Sequence, residues 1–150
     1  MAFTGSYITT QYWTSLHTAA INIGSDTFRL ALYDNTATLN QSTTAYTATG
    51  ELATAGGYTA GGATCTLTAS TETTQNGVVY LLDVSDVSWA AATFTARGAL
   101  LYDDTAAGNP AIAVIDFGAN QTVTAGTFTV PFPAVAANSC FIVFQAVINT

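Results

Sequence analysis

Apolar and polar residues alternate along most of the chain after residue 25. Between Asp26 and Tyr33, Phe28, Leu30 and Leu32 share one face of an extended chain, as in a β-strand with one buried side. Comparable segments lie at residues 63–69, 78–82, 93–103, 110–118, 126–132 and 140–148. About eight short strands separated by turn residues predict an all-β fold, an antiparallel β-sandwich that is jelly-roll-like.

One segment has the spacing of a helix instead. Between residues 10 and 21 the apolar positions fall on one side of a helix: Trp13, Leu16, Ala20 and Ile21. Thr9 or Thr10 could cap its start, and Gly24 could end it. We therefore predict a single β-sandwich domain over residues 1–150, in which residues 1–25 form an N-terminal arm and one short helix.

Two predicted strands lack a polar face. Residues 111–115 are apolar on both sides, and so are most of residues 140–148, where Phe141 and Val143 face away from Ile142. Because one face of an antiparallel sheet is commonly solvated, such a strand is either central in the fold or covered by another molecule. We expect a central position for 111–115. Both explanations stay open for the last strand, so Phe141 and Val143 are interface candidates.

The two longest strand patterns are joined by a short polar segment, residues 104–109. If this hairpin loop is symmetric, the strands pair so that Leu101 faces Ile112 and Arg97 faces Asp116. One of the few cations would then lie opposite a carboxylate on the same sheet face. The alternative is a solvated arginine without a fixed partner, and a one-residue slip would place Arg97 and Asp116 on opposite faces.

Charge narrows the choice of partners. Charged residues make up 7% of the chain, Arg29 and Arg97 are the two Lys or Arg residues, and the formal net charge is −7. Nucleic acids and anionic membranes attract clustered Lys and Arg, so neither is an expected partner. Twenty-eight threonines supply much of the polarity. A surface this poor in charge suits coverage by other subunits, although the net charge also suffices for solubility.

The glycine-rich stretch at residues 56–62 lacks the lysine and the following helix of a phosphate-binding loop. Glycines that bend the backbone beside a packed neighbour explain it better. We therefore take four of its residues as structural candidates: Gly57, Tyr58, Gly61 and Gly62. Cys65 and Cys140 each alternate with apolar residues, so we expect buried free thiols, with a bridge between them as the alternative.

Residues that could carry catalysis are scarce. His17 is the single histidine, and no nucleophile and acid accompany it in a recognisable arrangement. The acid pairs Asp103–Asp104 and Asp83–Asp86 border turns, so we expect them to cap those turns, with weak calcium binding as the alternative. Paired carboxylates of a glycosidase are a further alternative, but the chain has few donors for a sugar. We predict no enzyme and no catalytic, metal or cofactor site.

Several segments together resemble a family of small virion proteins from tailed bacteriophages. In chain order they are Asp26-Thr-Phe-Arg-Leu-Ala-Leu-Tyr33, Thr44-Ala-Tyr-Thr-Ala-Thr-Gly-Glu51, Gly57-Tyr-Thr-Ala-Gly-Gly62, Thr93-Phe-Thr-Ala-Arg-Gly-Ala-Leu-Leu-Tyr102, Ala111-Ile-Ala-Val-Ile-Asp-Phe-Gly118 and Gly126-Thr-Phe-Thr-Val-Pro-Phe-Pro133. The resemblance implies a structural component of the virion. Its closest role is capsid decoration, or cement, by a β-sandwich on the capsid exterior that binds the major capsid protein and is often a homotrimer. The alternative is a tail-associated module of the tube, baseplate or a fibre, in which tyrosines and tryptophans could bind a host glycan.

Overall fold

The computed structural model describes residues 3–74, 77–134 and 141–145, and it is an antiparallel β-structure with one short helix. In chain order the elements are β1 (Tyr7–Ile8), α1 (Thr10–His17), β2 (Phe28–Tyr33), β3 (Ala63–Cys65), β4 (Leu67–Thr74), β5 (Gly77–Val84), β6 (Val87–Asp103), β7 (Ala111–Val130) and β8 (Ile142–Gln145). The predicted all-β class is therefore confirmed, including the single short helix near the start of the described chain.

The strands form two antiparallel sheets that share one core. The larger sheet has the order β1-β7-β6-β2-β3, and the smaller has the order β4-β5-β8. Leu30 and Leu101 of the larger sheet are buried in one cluster with Leu82, Val84 and Ile142 of the smaller. Burying the apolar faces of two sheets against each other is what defines a sandwich.

The larger sheet is also buried on its second face. There Ala31, Leu100 and Val114 pack with Phe3 of the N-terminal arm and with Leu39 of the long loop after β2. β7 lies between β1 and β6 at residues 113–114, so its apolar residues are covered on both sides within the chain. This confirms the central position expected for residues 111–115.

Several predicted strand boundaries were wrong. The segments 110–118 and 126–132 belong to one twenty-residue strand, β7, because irregular pairing at the left-handed residues Gly118 and Ala125 bends the strand without ending it. β6 begins at Val87, whereas the predicted strand began at residue 93. The predicted strand 63–69 is divided at Thr66, where the chain passes from the larger sheet to the smaller.

The predicted register of the β6–β7 hairpin was wrong by one residue. Asp103 does bond to Pro110, but Leu101 pairs with Ala113, because Ile112 is an extra residue on β7 between two paired positions. The Ile112 carbonyl accepts the Thr9 amide at 2.9 Å. The bulge therefore serves the attachment of the N-terminal arm.

The helix α1 is shorter than predicted. Thr9 is its N-cap, with the side chain accepting from the Tyr12 amide, as one of the two expected caps. The helix ends at His17, and Ala19, with φ of 53°, already has a left-handed backbone. Tyr12 and Ser15 form its buried face. No helix among the described residues is long and apolar enough to cross a membrane.

Candidate functional site

Arg97 and Asp116 form an ion pair, as predicted, although Asp116 is paired with Gly98 and not with Arg97. Arg97 lies at the irregular step between Ala96 and Gly98, where β7 has several extra residues. The irregularity lets both side chains reach the same side despite the slip in register. The two side chains are 17% and 12% exposed, so the pair is largely shielded from water.

The N-terminal arm covers this ion pair. The Arg97 guanidinium lies 5.6 Å from the centre of the Phe3 ring, within the range of a cation–π contact. A Cβ on Gly98 would lie 2.4 Å from the same ring, so glycine makes the space that Phe3 fills. The Asp116 amide donates to Ser6 Oγ at 3.0 Å. The pair therefore holds the arm to the sheet.

The environment of Asp116 favours its charged form overall. Burial opposes ionisation, but the hydrogen bonds from Arg97 and from the Gly118 amide, together with the Arg97 charge, lower the pKa of Asp116 below its usual value. The carboxylate therefore stays ionised and paired at neutral pH.

The glycine-rich stretch at residues 56–62 packs against two strands, as expected if its glycines bend the backbone beside a packed neighbour. Gly57 has φ of 83°, and a Cβ there would lie 2.9 Å from the Ala90 carbonyl oxygen of β6. Gly62 has φ of 78°, and a Cβ there would lie 2.1 Å from the Leu30 carbonyl oxygen of β2. Both the left-handed backbone and the close approach exclude side chains at these positions.

Glu51 organises this stretch, and the sequence analysis did not identify it. Its carboxylate accepts the Tyr46 hydroxyl at 2.6 Å, the Tyr58 hydroxyl at 2.7 Å and the Gly61 amide at 2.6 Å. The Gly61 carbonyl in turn accepts the Tyr102 hydroxyl at 2.8 Å. Glu51 is the one acid between Asp34 and Glu72. An isolated acid in a tyrosine-bearing loop was the available signal.

The tyrosines of this cluster act as neutral donors. Burial is the main cause that raises the pKa of Tyr58, with the hydrogen bond to Glu51 adding to it. Burial likewise raises the pKa of Tyr102 to about 12. The hydroxyls therefore keep their protons and donate hydrogen bonds that fasten the loop to the sheet.

The other expected candidates have structural partners. His17 Nδ1 lies 2.7 Å from the Trp13 carbonyl oxygen on the exposed side of α1. Asp103 caps its turn, as predicted, by accepting the Thr105 and Ala106 amides. Within residues 3–74, 77–134 and 141–145, no three His, Cys, Asp or Glu side chains come together as metal ligands. Cys65 is the expected buried free thiol, whereas Cys140 lies outside the described residues.

An apolar groove opens beside β1, at the edge of the larger sheet. We call it the edge groove; its volume is about 390 Å³. Its lining residues are Ser6, Tyr7, Ile8, Ala113, Val114, Ile115, Val130, Pro131, Phe132, Pro133 and Phe141. None of them is charged, and the Phe132 and Phe141 rings meet edge to face at 5.3 Å. Phe141 thus lies in a candidate contact surface, while the Val143 side chain lies outside the described residues.

A second, smaller cavity of about 290 Å³ adjoins the edge groove along β7. Phe117 and Phe128, whose ring centres are 5.9 Å apart, line it together with Gln121 and Thr129. Partly exposed aromatic rings beside an amide and a hydroxyl are the groups that a sugar ring can contact. This cavity therefore has groups that suit a glycan.

Comparisons of the chain with protein-family models, with curated proteins and with solved structures give no match. The resemblance to phage virion proteins therefore remains a prediction from the sequence segments themselves.

Proposed function

We propose that this chain is a non-catalytic structural protein of a tailed-phage virion, most specifically a decoration or cement protein that binds and stabilises the major capsid shell. The observation that carries the proposal is the edge groove. Its wall is largely apolar and uncharged, and its lining includes Phe132, Pro133 and Phe141. An exposed apolar surface of this kind is typical of a site that binds another molecule, and a protein contact is one such site.

The distribution of charge supports a protein partner. Arg29 is paired with Asp104 and Arg97 with Asp116, so the two arginines are engaged within the chain. The remaining acids give the surface a negative balance. A partner surface is therefore expected to be neutral or basic, and a polyanion such as nucleic acid would be repelled.

Cement action couples the binding of this protein to the stability of the assembled shell. A protein that binds the assembled shell better than the dispersed subunits raises the temperature at which the shell disrupts. Self-association, which we propose as a homotrimer, would multiply this effect because one oligomer could hold several shell subunits at once.

Particle disruption tests the proposal. Particles that lack the protein should disrupt at a lower temperature, and added wild-type protein should restore it. Phe132→Ala should bind particles roughly ten-fold or more weakly, as expected for an aromatic anchor. Tyr80→Ala is the matched control, because Tyr80 is an aromatic residue that is 59% exposed away from the edge groove. Unchanged particle stability without the protein would contradict cement action.

The tail-associated alternative rests on the Phe117–Phe128 cavity. If the protein binds a host glycan there, Phe117→Ala should abolish binding to host cell-wall saccharides, while Phe132→Ala should not. Labelled protein would then be found at the tail. Label over the head, with no saccharide binding, would favour the decoration role.

A further inference from the structure

A further cavity lies between α1 and the smaller sheet, and we call it the helix cavity. Its volume is about 310 Å³. Its lining residues are Tyr12, Leu16 and Ile23 from the helix and the loop after it, and Ala69, Ser70, Tyr80, Leu81 and Leu82 from β4 and β5. None of these residues is charged, and none of them lines the edge groove. The helix cavity is therefore a separate feature of the molecule.

The helix cavity has a buried floor and an exposed rim. Tyr12 and Leu81 are each 1% exposed, whereas Tyr80 is 59% exposed. A molecule that enters past Tyr80 would be enclosed against an apolar floor. Cavities of about 300–1,000 Å³ with apolar and aromatic walls are the usual binding sites of small molecules.

The hydroxyl of Tyr12 has no hydrogen-bond partner among the described residues. Four other tyrosines, by contrast, each donate to a carbonyl or carboxylate oxygen: Tyr33, Tyr46, Tyr58 and Tyr102. Burial alone raises the pKa of Tyr12 to about 12, so its hydroxyl keeps the proton and stays a donor. A buried tyrosine hydroxyl usually has a partner, and within the described chain this one has none.

The unused hydroxyl is in contact with open space. In the described chain, the side-chain oxygens that are sealed from solvent without a partner are Ser70 Oγ and Asp103 Oδ2, and Tyr12 Oη is not among them. The helix cavity is the space that Tyr12 lines. An otherwise apolar cavity therefore presents one free donor, and the atom that this donor can bind is an acceptor oxygen.

Charge narrows the class of ligand. Arg29 is engaged with Asp104 and Arg97 with Asp116, and the lining of the helix cavity carries no charge. Nothing described there would compensate a carboxylate or an ammonium group, and burying an uncompensated charge is costly. The net charge of −7 also repels anions. A molecule that fits this cavity is therefore neutral.

We propose that the helix cavity binds a small neutral aromatic molecule of about two fused rings, whose single acceptor oxygen takes the hydrogen bond of the Tyr12 hydroxyl. An apolar cavity of about 150 Å³ can hold benzene, so about twice that volume has room for a second ring. The Tyr12 and Tyr80 rings in the lining favour an aromatic body. This site goes beyond the proposed virion role and does not depend on it.

Titration calorimetry of the purified full chain tests the site with two probes. 1-Indanone has two fused rings and one carbonyl oxygen, and indane has the same rings without the oxygen. 1-Indanone should bind once per chain with a Kd on the order of 0.1–1 mM, as expected for a ligand of its size. If the Tyr12 hydroxyl holds only a water molecule, neither probe binds, and the proposal is overturned.

Tyr12→Phe removes the hydroxyl and keeps the ring. It should weaken the binding of 1-indanone by about 3–10-fold, because one neutral hydrogen bond is lost, and it should leave the Kd of indane unchanged. A merely structural role of Tyr12 would weaken the binding of both probes alike, and that result would overturn the assigned hydrogen bond.

Ala69→Phe tests the place of the site. Ala69 is exposed and pairs with Leu82 in the cavity wall, so the added ring should fill the cavity and abolish the binding of both probes. Ala119→Phe is the matched control, because Ala119 is an exposed strand residue outside the cavity, and it should bind like wild type. Unchanged binding by Ala69→Phe would overturn the proposal.

Particle binding separates this ligand from the proposed contact with the shell. Tyr12→Phe should bind particles like wild type, since the helix cavity shares no residue with the edge groove. A loss of particle binding would identify a protein segment as the occupant and overturn a small-molecule ligand. Because calorimetry uses the purified chain, its result stands even if the protein has no capsid role.

Discussion

Arg97 joins three parts of the chain that are far apart in sequence. Its guanidinium binds Asp116 of β7 and lies against Phe3 of the N-terminal arm. The ion pair was expected from a symmetric hairpin register, and it forms although that register was wrong, because the irregular step between Ala96 and Gly98 brings the two side chains together. The contact with Phe3 could not be expected, since nothing in the local pattern shows that a glycine at position 98 makes room for a ring.

We expect Arg97→Ala to lower the free energy of unfolding by on the order of 2 kcal/mol, between the values for exposed and for fully buried ion pairs. The loss should be smaller in an Asp116→Asn background, because the second change no longer leaves a carboxylate unpaired. Urea denaturation of wild type, Arg97→Ala, Asp116→Asn and the double variant measures the coupling between the two side chains. Equal losses in both backgrounds would show that Arg97 acts through Phe3 alone.

The stability that the Arg97–Asp116 ion pair contributes should depend on pH. The pKa of Asp116 is lowered in the folded protein, so its ion pair contributes stability above the unfolded pKa, and that stability is lost as pH falls through the folded value. The difference in the free energy of unfolding between wild type and Arg97→Ala should therefore be largest near pH 7. It should become smaller below about pH 4. A difference that stays constant down to pH 3 would contradict an ionic origin.

Glu51 supports a separate prediction. Glu51→Ala leaves the Gly61 amide and two tyrosine hydroxyls without their acceptor. We therefore expect the free energy of unfolding to fall by about 3 kcal/mol. Glu51→Gln keeps one acceptor oxygen, so the free energy of unfolding should fall by only about 1 kcal/mol. Equal losses for the two variants, measured by urea denaturation, would show that the negative charge itself is required.

At the level of elements, the strands were easier to predict than their ends. Alternation identified β2 and the core of β6, although in the structure both are buried on both faces and not on one. It divided β7 wrongly, because Gly118 and the polar residues after it are typical of a turn. In the structure these residues form a bulge that remains paired with β6 on both sides. A bulge and a turn use the same residue types, so tertiary pairing decides between them.

The glycine-rich stretch offers a matched pair of substitutions. Gly61 and Gly62 both have positive φ, but a Cβ on Gly61 would find no atom closer than 3.8 Å, whereas one on Gly62 would lie 2.1 Å from the Leu30 carbonyl oxygen. Gly61→Ala should lower the free energy of unfolding by about 1–2 kcal/mol, because alanine is strained at a positive φ. Gly62→Ala should cost clearly more, because β2 must also move. Equal losses in denaturant unfolding would show that strain alone explains both.

At the level of the whole molecule, the larger sheet is buried on both faces within the chain. One face of this sheet meets the smaller sheet, and the other is covered by the arm and by the loop after β2. The sequence showed that residues 111–115 were apolar on both sides, but it could not show that a polar, threonine-rich loop carries Ala37 and Leu39 into a second core. Coverage by another subunit is therefore unnecessary for that strand.

Cys65 provides a probe of whether the two sheets unfold together. It ends β3 of the larger sheet, yet its side chain is buried in the core cluster that also contains Leu82 and Val84 of the smaller sheet. In a Cys140→Ser variant it is the only thiol. Because it is buried and burial raises its pKa to about 12, a thiol reagent at pH 8 should label it at least about 1,000-fold more slowly than in the urea-unfolded chain.

If the sandwich unfolds as one unit, labelling and circular dichroism should give the same urea midpoint. The physical reason is that Cys65 becomes accessible only when the shared core opens, and neither sheet can keep its apolar face buried alone. A labelling transition at clearly lower urea, with unchanged circular dichroism, would mean that the edge strand β3 detaches before the sandwich opens. That outcome would contradict the expectation that β3 unfolds together with the rest of the sandwich, because it would show local opening at this edge of the larger sheet.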